Sequence, residues 1–201
     1  MSEYVCILDF EATCWKNSND HEIIEFPSIL LKWETDKITE VSRIQLFVKP
    51  KSHPIVSKFC RELTGITQEQ VNAGIDLKSA LDTHKEWIKK HCKINEVTIV
   101  TCGHWDLRTM LQKDLKNNGL VLDSDSIYKR FVNIKDLHLK ITNERARGML
   151  SMLDYFELDL EGRHHSGIDD CHNISRIFIK LVESGLTKEI FINNTNYIKE
   201  E

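Results

Sequence analysis

Long hydrophobic runs are missing from this sequence. No stretch approaches the roughly 20 apolar residues that a membrane helix needs, which excludes a membrane partner of that kind. The opening "MSEYVCILDF" has no basic leader and no small-residue cleavage site, so an intracellular, cytoplasmic protein is expected, with nuclear entry left open. Proline is scarce: there are three, all within the first 54 residues, and no Pro/Gly/Ser-rich linker divides the chain. Repeats and low-complexity segments are absent too. The six cysteines (6, 14, 60, 92, 102, 171) contain no Cys-x-x-Cys pair, which argues against a zinc knuckle or a redox motif and for free thiols. Surplus positive charge is also lacking. The net charge of −4 speaks weakly against nucleic-acid binding. A cluster of acids built to hold two divalent cations would, however, contribute about −4 by itself. Short basic stretches do occur, at 84–93, 145–147 and 163–165, and read first as solvated faces.

What is present is globular. The 201 residues are 41% apolar and 29% charged, enough for one domain with a sizeable core. Tyr4 to Asp9 reads as a buried strand, with two more at 25–34 and 41–50 that can form an antiparallel meander. Two short helices follow, "SKFCRELTGI" and the capped "TQEQVNAG". A longer helix spans 76–91, with Leu77, Ala80, Leu81, His84, Trp87 and Ile88 on one face. Strands are expected at 96–102 and around "RFVNI". Helices are expected from Trp105 to Asn118, from about Asp136, around "MLSMLDYFEL", and from about Gly167 to Gly185. Strands first, then strands alternating with helices, indicate an α/β mixed sheet flanked by helices. The domain is expected over 1–186. Residues 187–201 form a tail that packs on it or trails from it, in which "EIFIN" adds a short strand or lies on the surface.

Three stretches place acids at element ends. Asp9 and Glu11, one residue apart after the first strand, share a face if the strand continues. Two like charges so placed call for a positive group between them. Asp106 follows the strand "EVTIVTC", and Asp169 and Asp170 open the last helix, with His165 one turn before Asp170. If the two strands are neighbours and the last helix crosses their ends, four carboxylates converge. Such a set suits hard cations such as Mg²⁺ or Mn²⁺. A two-metal site of this type activates water and stabilises a phosphodiester leaving group. His165 is the natural general base, because its ordinary pKa lies near physiological pH. Asp169 reads as a helix N-terminal acid favoured by the dipole rather than as a ligand.

Asp9-x-Glu11, Asp106 and His165-x-x-x-x-Asp170 resemble the pattern of the DEDDh 3′–5′ exonucleases of the ribonuclease H-like fold. "ILDFEATCW", "EIIEFPSILL", "FCRELTGITQEQV", "CGHWDL" and "HHSGIDDCHNISRI" narrow the resemblance to the Eri-type exoribonucleases, the group that includes the 3′ histone mRNA exonuclease. The resemblance implies a mixed five-stranded sheet of the DEDDh exonuclease type. It also implies two Mg²⁺ (or Mn²⁺) held by Asp9, Glu11, Asp106 and Asp170, with Asp9 bridging and His165 taking a proton from the attacking water. For the substrate it implies RNA with a free 3′ end, single-stranded or overhanging, cut to nucleoside 5′-monophosphates, for instance in trimming small or ribosomal RNA. Trp105 and Phe59 would stack the terminal base, a sequence-tolerant contact worth ~1–3 kcal/mol. The 3′-hydroxyl would sit against Glu11 and the backbone of Phe10 and Ala12.

Other readings compete with this one. DNA is a possible substrate of the same active site, since discrimination of the sugar rests on 2′-hydroxyl contacts that the sequence does not display. A catalytically decayed RNA-binding adaptor is a third reading, opposed by the presence of all five catalytic residue types. Trp105 and Phe59 can also be read as core aromatics, whereas Trp15, Trp33 and Trp87 are read as packing. His104, beside Trp105, has no assigned role.

Overall fold

The apolar residues of the first strand split evenly between two faces, and that split organises the molecule. In the computed structural model, which describes residues 3–16, 20–35 and 37–198, strand β1 (Tyr4–Leu8) turns Cys6 and Leu8 to one layer of helices and Val5 and Ile7 to the other. A strand covered on both sides is apolar throughout, which is why it reads as a run rather than as an alternation. β3 (Ile23–Trp33) is buried along nearly its whole length for the same reason. β4 (Ile38–Phe47) is an edge strand whose residues are partly or fully exposed.

β1 pairs antiparallel with β3, and β3 with β4, giving the expected meander. On its other side β1 runs parallel to β5 (Val97–Thr101), and β5 parallel to β6 (Arg130–Asn133). Those are the five strands expected. Among the described residues two short ones extend the sheet to seven: β2 (Glu11–Ala12), which pairs with the start of β3, and β7 (Thr195–Tyr197), antiparallel to β6. β3 begins two residues before its expected start and β4 three, so β4 takes in much of the polar stretch 35–40. Residue 36 of that stretch lies outside the described residues.

The short helices α1 (Lys58–Thr64) and α2 (Gln68–Asn72) carry the caps their sequences announce, Ser57 and the Thr67/Gln70 capping box. α3 (Leu77–Lys89) buries all six residues of its expected stripe. Within that stripe His84 is a core histidine. Its Nε2 lies 3.0 Å from Ser28 Oγ and its Nδ1 2.8 Å from Tyr128 OH, and burial holds its pKa down at about 3. The helix expected from Trp105 opens instead with a π-helical turn, Asp106–Met110, before α4 (Leu111–Asn118). α5 (Ile134–Thr142) starts two residues before its expected position, capped by Asn133. α6 (Met149–Tyr155) and α7 (Gly167–Glu183) follow.

α3 and α4 cover the Cys6/Leu8 face of the sheet, and α5, α6 and α7 cover the Val5/Ile7 face. The α7 stripe buries Cys171, Ile174, Phe178 and Leu181 fully and Ile168 and Val182 in part, and Ile177 joins it. The tail corrects the sequence reading. "EIFIN" belongs to a helix, α8 (Lys188–Asn193), capped by Thr187 and anchored by buried Phe191. The strand of the tail is β7, which adds to the sheet edge, while residues 199–201 lie outside the described residues. All six cysteines are free, with Cys6, Cys60 and Cys171 buried. Among the described residues no helix is long and apolar enough to cross a membrane.

Candidate active site

Because β1 and β5 are parallel, their C-terminal ends fall on one edge of the sheet, and both chains of acids start there. Asp9 follows β1 and continues the Val5/Ile7 face, so it looks toward α7. Phe10 and Ala12 face the other way into the core, with the Phe10 ring edge-on to Phe26 at 4.7 Å. Glu11, in β2, returns to the Asp9 side. The strand therefore does for Asp9 and Glu11 what its period of two requires, despite the irregularity in pairing at Glu11/Ala12.

α7 reaches this edge because residue 167 is glycine. A side-chain carbon at that position would lie 2.9 Å from Asp9 O and 2.7 Å from Pro27 Cγ, so only glycine allows the helix terminus to press on the end of β1. This contact sets Asp170 beside Asp9 and Glu11, and one carboxylate oxygen from each of the three lies within 4.8 Å of the others. Asp106 approaches from β5, where its Oδ1 accepts the Phe10 N–H at 3.1 Å. All four predicted carboxylates thus meet at one edge, Glu11, Asp106 and Asp170 buried and Asp9 half-buried.

Sequence reasoning missed a fifth acid. Glu25, in β3 opposite Glu11, is 1% exposed, and its Oε2 accepts the Gly167 N–H at 3.2 Å while its Oε1 accepts from Gln45 Nε2 at 2.8 Å. It fastens the start of α7 to the sheet. The one available signal was a carboxylate interrupting the apolar run "EIIEFPSILL".

So many acids in one place cannot all ionise without compensation. Burial, then Asp106, Glu11, Asp170 and Glu25, push Asp9 well above the usual carboxylate range. Burial and the charges of Glu25, Asp170 and Asp106 raise Glu11 to about 9. Burial raises Asp170 to about 7 against the opposing His165 N–H, and raises Asp106 to about 6 against the Phe10 N–H. Burial also raises Glu25, despite its hydrogen bonds. The donor set is all oxygen, and Asp170 Oδ1 is buried with no hydrogen-bond partner. An orphaned acceptor facing other carboxylates is the feature a hard divalent cation would satisfy, so the residues fit such an ion.

His165 stands at the rim. Its backbone N–H donates to Asp170 Oδ2 at 2.9 Å, and its φ of 65° is a left-handed conformation uncommon for a residue with a side chain. Its ring stacks on His164 at 3.9 Å. Partial burial, then the charges of His164 and Arg163, lower its pKa, which favours the neutral imidazole. His164, His165 and Asp170 also bring three potential ligand atoms within 4.8 Å of one another, so the base and the acid cluster are contiguous. The loop is pinned on both sides: Asp169 Oδ2 accepts the Arg163 N–H, and the Arg163 guanidinium donates to the Glu62 and Leu63 carbonyls of α1. Asp169 is thus a loop-fixing acid, in line with its reading as a non-ligand.

Trp105, between His104 and Asp106, is 46% exposed, its ring edge-on to His21 at 5.5 Å. An indole left this open beside a buried acid is available for stacking. Phe59 is half-buried in the first turn of α1, next to Cys60, whose Sγ approaches Ala12 O at 3.4 Å. The side chains of Phe10 and Ala12 belong to the core, so a substrate can meet only their backbone. Of that backbone, the Phe10 N–H is taken by Asp106 and the Ala12 carbonyl by Cys60.

The sequence model of the exonuclease family (RNase_T) matches residues 6–178. ERI1 exoribonuclease 3 of Bos taurus is 37% identical over 90% of the chain and 54% of its own length. ERI1 exoribonuclease 2 of Xenopus laevis is 31% identical over 94% of the chain, which spans 30% of that relative's length. Among solved structures, the nuclease domain of 3′hExo, a DEDDh family member bound to rAMP, superposes with a TM-score of 0.83 at 31% identity, covering 92% of this chain and 94% of that one.

Proposed function

We propose, from the premise that this chain belongs to the exonuclease family, that it is a divalent-metal-dependent 3′–5′ exoribonuclease that shortens RNA from a free 3′ end. The observation that carries the reading is the convergence of Asp9, Glu11 and Asp170, with Asp106 adjoining and His165 at the rim. Asp9, Glu11, Asp106 and Asp170 would hold two ions, Mg²⁺ or Mn²⁺. When bound, these supply the positive charge that makes an attacking water acidic and steadies the leaving oxygen. His165 accepts the proton of the attacking water, and the stacked His164 with the Asp170–His165 hydrogen bond keeps its ring at the rim. The water attacks phosphorus, the bond to the 3′-oxygen of the preceding nucleotide breaks, and a nucleoside 5′-monophosphate leaves.

Trp105, with its exposed face, and Phe59 flank the terminal base. With the Phe10 N–H and Ala12 carbonyl already engaged, Glu11 has the main part in meeting the 3′-hydroxyl. Six free thiols suit a reducing, intracellular compartment, where RNA with single-stranded or overhanging 3′ ends is available.

The test uses 5′-labelled single-stranded RNA and DNA of one sequence, in Mg²⁺, in Mn²⁺ and in EDTA. A metal-dependent ladder shrinking from the RNA 3′ end, with DNA spared, supports the reading. A ladder on DNA alone reassigns the enzyme as an exodeoxyribonuclease, and binding without shortening makes it an adaptor.

A further inference from the structure

The catalytic edge of the sheet carries its charges in order. Moving across it, β3 contributes Glu25, β1 Asp9, and β5 Asp106 through the 102–106 turn, all acids. The next strand, β6, ends in Asn133 and passes directly into α5, which brings Lys135 to the same edge. Its placement is fixed. Asn133 Oδ1 accepts the Lys135 backbone N–H at 3.1 Å as the helix cap. Its side chain, half-buried, folds over the turn after β5. There a carbon added at Gly103 would lie 3.6 Å from Lys135 Nζ, and Gly103 itself sits at φ 128°. The ammonium therefore rests against the backbone two residues before Trp105 and three before Asp106.

The Lys135 ammonium acts on its surroundings through its charge alone. Among the described residues its Nζ makes no ion pair and no hydrogen bond, whereas the neighbouring charges are occupied. Asp136 lies 3.6 Å from His104 Nε2. Arg108 donates to Asn196 and covers the Phe131 ring. Arg163 is tied to α1, as described above. The stem of this half-buried lysine lies along the turn while its ammonium makes no hydrogen bond among the described residues, which leaves its donors free for a phosphate. Lys135 also draws down the pKa of Asp106, which places its charge within reach of the acid cluster.

We propose that Lys135 is a substrate-positioning residue that binds the phosphate next to the scissile one, on the 5′ side of the cleaved bond. The argument is one of distance along the sheet. Adjacent strands are about 4.8 Å apart, so β6 lies roughly 10 Å from β1, beyond the carboxylates that surround the scissile phosphate. A strand whose terminal base stacks on Trp105 and whose scissile phosphate lies at Asp9 must continue past the acids. On the β5/β6 side the first positive group it meets is Lys135. The contact is to the backbone, so it is blind to base identity. This inference deepens the exoribonuclease reading and rests on it.

The experiment compares wild type with Lys135→Gln on two substrates. One is a 5′-labelled RNA oligomer. The other is the 5′-p-nitrophenyl phosphodiester of uridine, which has a single phosphodiester and a free 3′-hydroxyl but no second phosphate. The ratio of kcat/KM for the oligomer to kcat/KM for the ester is expected to fall roughly tenfold in the variant, through KM, with the salt dependence of the oligomer reaction shallower by about 0.7 in log–log slope. Lys135→Arg is expected to restore most of the ratio. An equal loss on both substrates, through kcat, would mean that Lys135 acts on Asp106 and would overturn the proposal, as would no change on either. If wild type itself leaves the RNA intact in Mg²⁺ and Mn²⁺, the exoribonuclease reading fails first and takes this inference with it.

Discussion

Removing divalent ions should make this protein both proton-hungry and sensitive to alkali. Without a cation, Glu11 titrates near 9 and Asp170 near 7, against 4.5 and 3.8 for the same groups free of the fold, and Asp9 is raised as well. The folded, metal-free protein therefore holds more protons than the unfolded chain from about pH 4 to pH 9. A raised folded-state pKa contributes stability that is complete below the unfolded value and is lost as pH climbs through the folded one. In EDTA the melting temperature is accordingly expected to fall between pH 6 and pH 9. Mg²⁺ or Mn²⁺ should restore it, and by more at pH 8.5 than at pH 6.

The same shifts give a proton count. At pH 7 Glu11 is almost fully protonated and Asp170 about half, so loading the site releases roughly 1.5 protons from these two. Metal affinity should then rise by about 1.5 log units per pH unit near neutrality. Calorimetric titration in two buffers of different ionisation enthalpy reads the proton number directly, and thermal scans with and without metal read the stability. A proton release near zero at pH 7, together with a melting temperature in EDTA that is flat or rises toward pH 9, would refute the idea that mutual repulsion of these carboxylates is what the cations relieve.

Asp106→Ala should abolish turnover while the protein still folds with a wild-type circular-dichroism spectrum, its melt lowered only by the orphaned Phe10 N–H; retained cleavage of labelled RNA would remove Asp106 from the site. His165→Ala should slow single-turnover cleavage by roughly 10²–10⁴-fold, the span of a general base, and flatten the acid limb of the pH–rate profile; an unchanged profile would assign the proton to another group. Glu25→Ala leaves the Gly167 N–H and the Gln45 amide without an acceptor and should cost about 1–3 kcal/mol in urea unfolding, whereas a neutral result would show that the start of α7 is held otherwise.

Much of this architecture was legible because it follows local rules. The stripe of α3 is a periodicity borne out residue by residue, and the apolar run from Tyr4 gives the buried strand β1. The tail was not legible. "EIFIN" is rich in β-prone residues, and only the Thr187 cap and the burial of Phe191 decide for a helix. The π-helical turn at Asp106 is likewise invisible, because one added residue per turn leaves no mark in a short window. Glu25 escaped for a different reason. Its partner, the Gly167 N–H, is 142 residues away, and no local pattern joins them.

The features that broke local expectation are those that build the edge where the acids meet. A histidine at φ 65°, a glycine where α7 meets β1 and a carboxylate buried in an apolar strand each cost the fold something when taken singly. Taken together they have one explanation. Gly167 lets the helix terminus close on Asp9, and Glu25 holds it there. The backbone of His165 then fixes Asp170, so that the carboxylates stand closer than their charges favour. A site that only stabilised the fold would have replaced one of these acids with an apolar residue, since a buried repulsive cluster is a liability in the absence of a counter-ion. Their retention in one place, with the orphaned Asp170 Oδ1 among them, makes sense for a protein whose working state includes the cations.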